Sequence, residues 1–420
     1  MGNIYKKMFY YITKSFQVLF SNYYSADKIN NYKIVYYPVF KSKKDLADQV
    51  NRIRWFITNF NNTSIFLSLN NSIKNIDINS LKAPNYQRLP SSSASNPNFI
   101  LCNDIDRHIK DADIICVWDT NFNYNRKFMI QNIHKLRIID PDYYLYSEAF
   151  TNGSILWYDI LTKSQRQEWV DKSYSVYKKV YNDYSNCGKS YLFGTGPSIQ
   201  DAYKYDFSDG VRIICNTIVK NDKLLDHIKP NIIAFADTAF HFGVSKYCET
   251  FAKDVLKVVR RFKCHIVTNQ VGYALMRTHY PELLEYLIGV PAIRFGPPKI
   301  MDINNFATRA FKYTILTRIM IPLAAGLSNK IVMLGFDGRE FKDNDYFWKH
   351  NHSTQYVNNM KDVRKAHKSF FNDTDYKSHY LGHCKVLKRV IIDFEKKGKV
   401  FEVLGNTFVP VLRDKMSYIK

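Results

Sequence analysis

Four short segments in the second half of this 420-residue chain carry residue types that can do chemistry. The first runs from the apolar stretch Tyr191–Phe193 into Gly194-Thr195-Gly196-Pro197-Ser198. Its glycines permit positive φ and close approach of backbone to a ligand. Pro197 and Ser198 predict a turn or helix start whose free N–H groups can face a phosphate. Thr195 and Ser198 add hydroxyls, and a plain strand-to-helix turn is the simpler alternative. The second is a pair of polar strand ends: Asn216 and Thr217 after Val211–Cys215, and Asp237 and Thr238 after Ile232–Ala236. Either pair can hydrogen-bond a ligand or cap the next helix. The third is Gly335-Phe336-Asp337-Gly338, followed by a polar loop with Arg339, Asp343, Asp345, Tyr346, His350 and His352. Arg and Tyr donors there can stabilise a leaving phosphate as charge develops on it. His350 and His352 read as loop, since two histidines alone do not make a zinc site. The fourth is Ser378-His379-Tyr380-Leu381-Gly382-His383, read as lying just before a helix over 385–397. A histidine can take a proton from an attacking hydroxyl, whereas a capping or core pair is the plainer alternative.

Five Asp-x-Asp triplets occur: 104/106, 111/113, 140/142, 343/345 and 373/375. Such pairs can hold Mg²⁺ against a diphosphate. Five in one chain argue mostly for chance, and no metal site is expected. A Walker motif and the Gly-x-Ser-x-Gly of the hydrolases are both absent.

The elements that must position these groups follow an alternating pattern. In the first half, strands are expected at 32–40, 64–69, 114–118 and 136–139. Helices are expected over 43–60 and 126–134, and a loop over 80–98, rich in Pro and Ser. A polar, aromatic helix over 163–183 is expected to connect the halves. In the second half, strands are expected at 190–193, 211–215, 232–236, 265–268, 292–295, 331–334 and 400–403. Helices are expected over 245–259, 273–287, 308–325 and 385–397. The fold class is therefore α/β, with two Rossmann-like domains, 1–185 and 186–420, the second a doubly wound parallel sheet. Such sheets take ligands beyond the carboxyl ends of their strands.

The bulk composition narrows the partners. The formal net charge is +22. That excess suits an anionic membrane face or acidic small substrates, and the Lys and Arg are spread along the chain without any nucleic-acid-binding module. Nucleic acid is not expected as a partner. The seven scattered cysteines read as reduced thiols, hence a cytoplasmic setting. No signal peptide fits, and the longest apolar run, Ile319–Leu327, is too short to span a bilayer. The aromatic and lysine-bearing opening, Met8–Tyr24, suits either a membrane surface or a helix docked on the domain itself.

Taken in order, the four segments resemble the bacterial sialyltransferases of glycosyltransferase family 42, the Campylobacter/Haemophilus type, over residues 189–410. The resemblance implies a modified GT-A nucleotide-binding domain and an inverting transfer of sialic acid from a CMP-activated donor, with no required metal and no separate cofactor. It implies that His383 is the catalytic base and Tyr380 a contact to the leaving phosphate. Nucleotide contacts fall on Gly194–Ser198 and Asn216, and a hydroxyl residue on Thr314, upstream of Ala325-Gly326. The chain departs from the family pattern at Thr195 and Asp237, where the family has Asn. Only Tyr346 matches one of two phosphate-binding tyrosines, with Arg339 standing near the other. The expected site is thus His383, Tyr380, Tyr346 and Arg339, with Gly194–Ser198, Asn216, Asp237, Thr314, Gly335, Asp337 and His379 about the substrate. The expected partners are a nucleotide-sugar donor and a glycan or lipid-linked saccharide acceptor at the inner face of the membrane. The same core also resembles pterin diphosphokinase-like domains, which would need Mg²⁺ and a nucleoside triphosphate. A non-catalytic interaction protein on this fold is a further alternative.

Overall fold

The computed structural model describes residues 2–24, 32–57, 62–90, 97–121, 126–143, 147–311, 314–340, 352–368, 371 and 375–417. Two parallel sheets, each covered by helices, make up the molecule. The first holds β1 (Lys33–Tyr37), β2 (Ser64–Ser68), β3 (Asn98–Cys102), β4 (Ile114–Val117) and β5 (Leu136–Ile138) in the order β3-β2-β1-β4-β5. The helices of this half are α1 (Gly2–Tyr24), α2 (Lys43–Phe56), α3 (Ile105–Asp111), α4 (Arg126–Asn132), α5 (Ser147–Ile155) and α6 (Lys163–Tyr184).

The second sheet holds β6 (Lys189–Phe193), β7 (Gly210–Cys215), β8 (Ile232–Ala234), β9 (His265–Asn269) and β10 (Leu287–Val290). A two-stranded ribbon of β11 (Ala292–Ile293) and β12 (Thr308–Arg309) follows, and β13 (Lys330–Leu334) and β14 (Val400–Val403) complete the large sheet. Its order is β10-β9-β8-β7-β6-β13-β14. The chain winds outward one way from β6 and then returns to add β13 and β14 on the other side. The switch point of this doubly wound sheet therefore lies between β6 and β13. Its helices are α7 (Asp222–Ile228), α8 (Thr238–Phe242), α9 (Lys246–Phe262), α10 (Gln270–His279), α11 (Ile321–Leu327), α12 (Met360–Ala366) and α13 (Tyr376–Glu395).

Local signals set the longer helices. In α9, Ser245 caps the start by accepting from the Cys248 N–H, and Lys263 ends it in the left-handed region. Its apolar residues Tyr247, Phe251, Val255, Val258 and Val259 recur at helical spacing and are buried. A capping box of Thr162 and Gln165 starts α6. That helix lies on the large sheet: Ser173 Oγ accepts from Gly289 N at 3.1 Å, and the Tyr177 hydroxyl donates to Met301 O at 2.8 Å.

The two halves share one hydrophobic cluster, from Ile34, Tyr36 and Trp55 in the first to Phe193, Ile233, Phe251 and Tyr273 in the second. Part of the segment expected as a loop over 80–98 forms the joint. Arg88 N donates to Val244 O at 2.8 Å and Lys246 N to Tyr86 O at 3.0 Å, as an antiparallel bridge. The Arg88 guanidinium donates to Gly243 O and lies 4.4 Å from the Trp55 ring centroid.

Four expectations need correction. The strand β3 begins at the last residue of the expected loop over 80–98 and runs on through residues for which no element was expected. The edge strand of the large sheet is Leu287–Val290, at the end of the expected helix over 273–287, because α10 stops at His279 and Pro281 opens a short turn. The stretch expected as a strand over 292–295 pairs only with β12, outside the large sheet. The expected helix over 308–325 opens as β12, and a wide π turn, Leu316–Met320, precedes α11, whose second residue is Pro322.

Candidate active site

A cavity of about 270 Å³ lies at the switch point, beyond the carboxyl ends of β6, β7, β8 and β13. It gathers Gly194, Thr195 and Gly196 from β6, Asn216 from β7, Asp237 from β8, Thr314, and Gly335, Asp337 and Arg339 from β13. From α13 come His379, Tyr380 and His383. Pro197 is exposed, and neither it nor Ser198 lines the cavity. Tyr346 lies outside the described residues, as do Asp343, Asp345, His350 and Asp373.

Gly194 and Gly196 act through space, whereas Gly335 and Gly338 stand at positive φ, 81° and 69°. Gly196 has φ −69°. A methyl on Gly194 would sit 2.3 Å from Gly335 O, and one on Gly196 would sit 2.1 Å from Asp337 Oδ2. The loops after β6 and β13 thus touch backbone to backbone. Gly194 N donates to Leu334 O and Gly196 N to Gly335 O, each at 2.8 Å. Ser198 N and Oγ donate to the two oxygens of Asp337, at 2.9 and 2.8 Å. This corrects the expectation that the turn offers free N–H groups to a phosphate. The chain's own carboxylate holds the anion position at the turn, so Ser198 and Asp337 clasp the cavity wall. Burial pushes the Asp337 carboxyl above the ordinary range, and the two bonds from Ser198 oppose that.

Polar groups also line the other walls. Asn216 stands in the left-handed region at φ 47°, a conformation that Asn tolerates better than most residues. Asp237 has its carboxyl pushed up by desolvation, opposed by the Arg318 guanidinium 3.9 Å away and by His379.

The His-Tyr-x-Gly-His block, expected ahead of a helix, lies inside one. Asp375 caps α13 by accepting from Ser378 N at 3.0 Å, so the helix starts at Tyr376 rather than at the expected 385. Gly382 weakens the helix by about 1 kcal/mol relative to Ala but does not end it. Tyr376, His379, Tyr380 and His383 then follow the i, i+3, i+4, i+7 spacing of one helix face. That face lines the cavity.

The Tyr380 hydroxyl accepts from Arg339 N at 3.2 Å, and the Arg339 guanidinium lies 5.7 Å from the Tyr380 ring centroid. Burial pushes the Tyr380 phenol up to about 12, so it stays protonated and can donate. Thr314 Oγ1 lies 3.2 Å from His383 Nδ1. Where Nδ1 carries the proton and donates to Thr314, Nε2 keeps its lone pair. Burial lowers His383 to about 4, with His379 adding to the fall, so its imidazole is neutral at physiological pH. Burial also lowers His379, while Asp237 opposes that.

Phe336 and Gly338, from the third segment, also line the cavity, as do Cys215, Ile315, Leu316, Tyr376, Val409 and Leu412, which were not expected. Tyr376 would have followed from the helix face had α13 been started at its Asp375 cap. Val409 and Leu412 arrive from the distant end of the chain, and no local pattern marks them.

Among the described residues no cluster of three or more His, Cys, Asp or Glu side chains could hold a metal. Three of the Asp-x-Asp triplets have local work. Asp104 caps α3, Asp113 accepts from Lys33 N, and Asp140 accepts from Asp142 N and from Thr120. All seven cysteines are free thiols. No protein-family model, curated protein or solved structure matches this chain.

Proposed function

We propose that the chain is an inverting glycosyltransferase of modified GT-A type, taking an acid sugar such as sialic acid from a CMP-activated donor. The observation that carries this reading is the single cavity joining the β6 glycine turn to the histidine face of α13, with Thr314 set against His383 Nδ1. The nucleotide would lie over Gly194–Gly196 and Asn216. In the transfer step an acceptor hydroxyl gives its proton to His383 Nε2 as its oxygen bonds to the anomeric carbon. The bond from that carbon to the phosphate oxygen breaks, and the nucleotide leaves with the electron pair. Tyr380, Arg339 and His379 are the donors nearest to hand for that phosphate. Attack opposite the leaving group inverts the centre. The acceptor in this reading is a surface glycan or a lipid-linked saccharide.

A thermal-shift panel of CMP, UDP, GDP and ATP, each with and without Mg²⁺, tests the donor class. Stabilisation by CMP without metal is expected. Stabilisation by ATP only with Mg²⁺ would favour a diphosphokinase, and no shift with any nucleotide would favour an interaction protein.

A further inference from the structure

The opening helix leaves a row of apolar side chains on its outer face. Its inward face is mixed: Tyr10 and Phe9 pack with Ile138 and Tyr143, while Gln17 Nε2 donates to Asp159 Oδ2 at 2.6 Å and Ser154 Oγ donates to Gln17 Oε1 at 3.1 Å. Lys14 Nζ donates to Phe150 O at 3.2 Å, and Thr13 is buried beside Tyr10. The outward face carries Met8, Tyr11, Ile12 and Leu19, with Met8 52 % and Leu19 66 % exposed. A surface helix ordinarily buries its apolar stripe and shows its polar one. Here Phe9 and Tyr10, with polar side chains bonded to α5 and the turn after it, hold α1 to the body, and a second apolar row faces out.

Charge decides what covers them. The helix has Lys6 and Lys7 exposed at its start and no acidic residue along its length. An apolar stripe with exposed cations at its start matches the acyl boundary and headgroups of an anionic bilayer. A second copy would bring together two bodies of formal charge +22. No described helix is long and apolar enough to cross a membrane, so α1 would lie along the surface.

We infer that the outer face of α1 docks this protein on anionic membrane surfaces. The inference stands independently of the transferase reading. The test is co-sedimentation of the full chain with vesicles of phosphatidylcholine alone, or of phosphatidylcholine and phosphatidylglycerol in equal parts. The chain should partition onto the mixed vesicles and far less onto the neutral ones. Met8→Gln/Leu19→Gln alters only exposed side chains and should weaken partitioning by more than about tenfold at an unchanged melting temperature. Lys6→Gln/Lys7→Gln should weaken it by about tenfold. A chain that stays in the supernatant with mixed vesicles overturns the inference. So does Met8→Gln/Leu19→Gln binding as tightly as the parent, which would assign the attraction to general basic charge. Concentration-dependent dimerisation abolished by that variant, without vesicle binding, would assign the face to a second copy.

Discussion

Both halves of the molecule are doubly wound sheets with a switch point, yet the two crevices are furnished in opposite ways. Beyond β1 and β4 in the first sheet, Phe40 and Trp118 stack at 4.4 Å with ring planes 6° apart. Trp118 Nε1 donates to Pro38 O at 2.6 Å, and Phe40 N donates to Ser68 O. Two large rings therefore fill the place where such a sheet would receive a ligand. Beyond β6 and β13 in the second sheet, the same place is walled by glycines and ringed by Asn216, Asp237, Thr314, His379 and His383. Topology supplies the crevice in both, and side-chain volume decides whether it is packing or a site.

The largest expected effect lies in the open crevice. His383→Ala should lower turnover by about 10²–10⁴-fold. Calorimetry should find the fold intact, and near-normal turnover would remove His383 from the chemistry. Next comes the filled crevice. Trp118→Ala should cost about 3–5 kcal/mol of stability by leaving a cavity under Phe40, read by chemical denaturation. The nucleotide-induced thermal shift should survive, and its loss would tie the first crevice to ligand binding. Smaller again is Gly194→Ala, whose methyl meets Gly335 O. It should cost about 1–3 kcal/mol and abolish the nucleotide shift, whereas Gly188→Ala, with nothing within 4 Å of the new methyl, should do neither.

The smallest effect is on pH dependence. His383 is lowered to about 4, so the acid limb of kcat/KM should fall near pH 4. A limb near about 6.5 would mean an imidazole in contact with water. Burial likewise lowers His241 to about 3 and His279 to about 4. The unfolded chain binds protons to these groups first, so stability is full above about pH 6.5 and falls as pH drops towards 4. Melting temperature against pH should show that decline.

Most of the large sheet was legible because buried parallel strands are short apolar runs, as in Ile331–Leu334 and Val211–Cys215. Part of the cavity lining was legible for the same reason: Gly194–Gly196, Asn216, Asp237 and Gly335–Arg339 sit immediately after such runs, whereas Thr314, His379, Tyr380 and His383 do not. Where reading failed, long-range partners decided. Leu287–Val290 continues a helix-like stretch, and only pairing with β9 makes it a strand. Gly382 looked like a break, but the Asp375 cap and the buried side of α13 outweigh it. The glycine turn looked like a phosphate nest, and its donors were taken by carbonyls and a carboxylate over a hundred residues further along the chain.

The joint between the halves has a practical consequence. Arg52 reaches across to donate to Ala366 O at 3.1 Å, and His279 Nε2 lies 2.7 Å from Trp55 O. Each half thus closes the other's backbone, and a cut between them would bare a broad greasy surface on both pieces. Fragments produced separately should precipitate, while the same fragments made together should reassemble, which makes this chain suited to split-protein reporters.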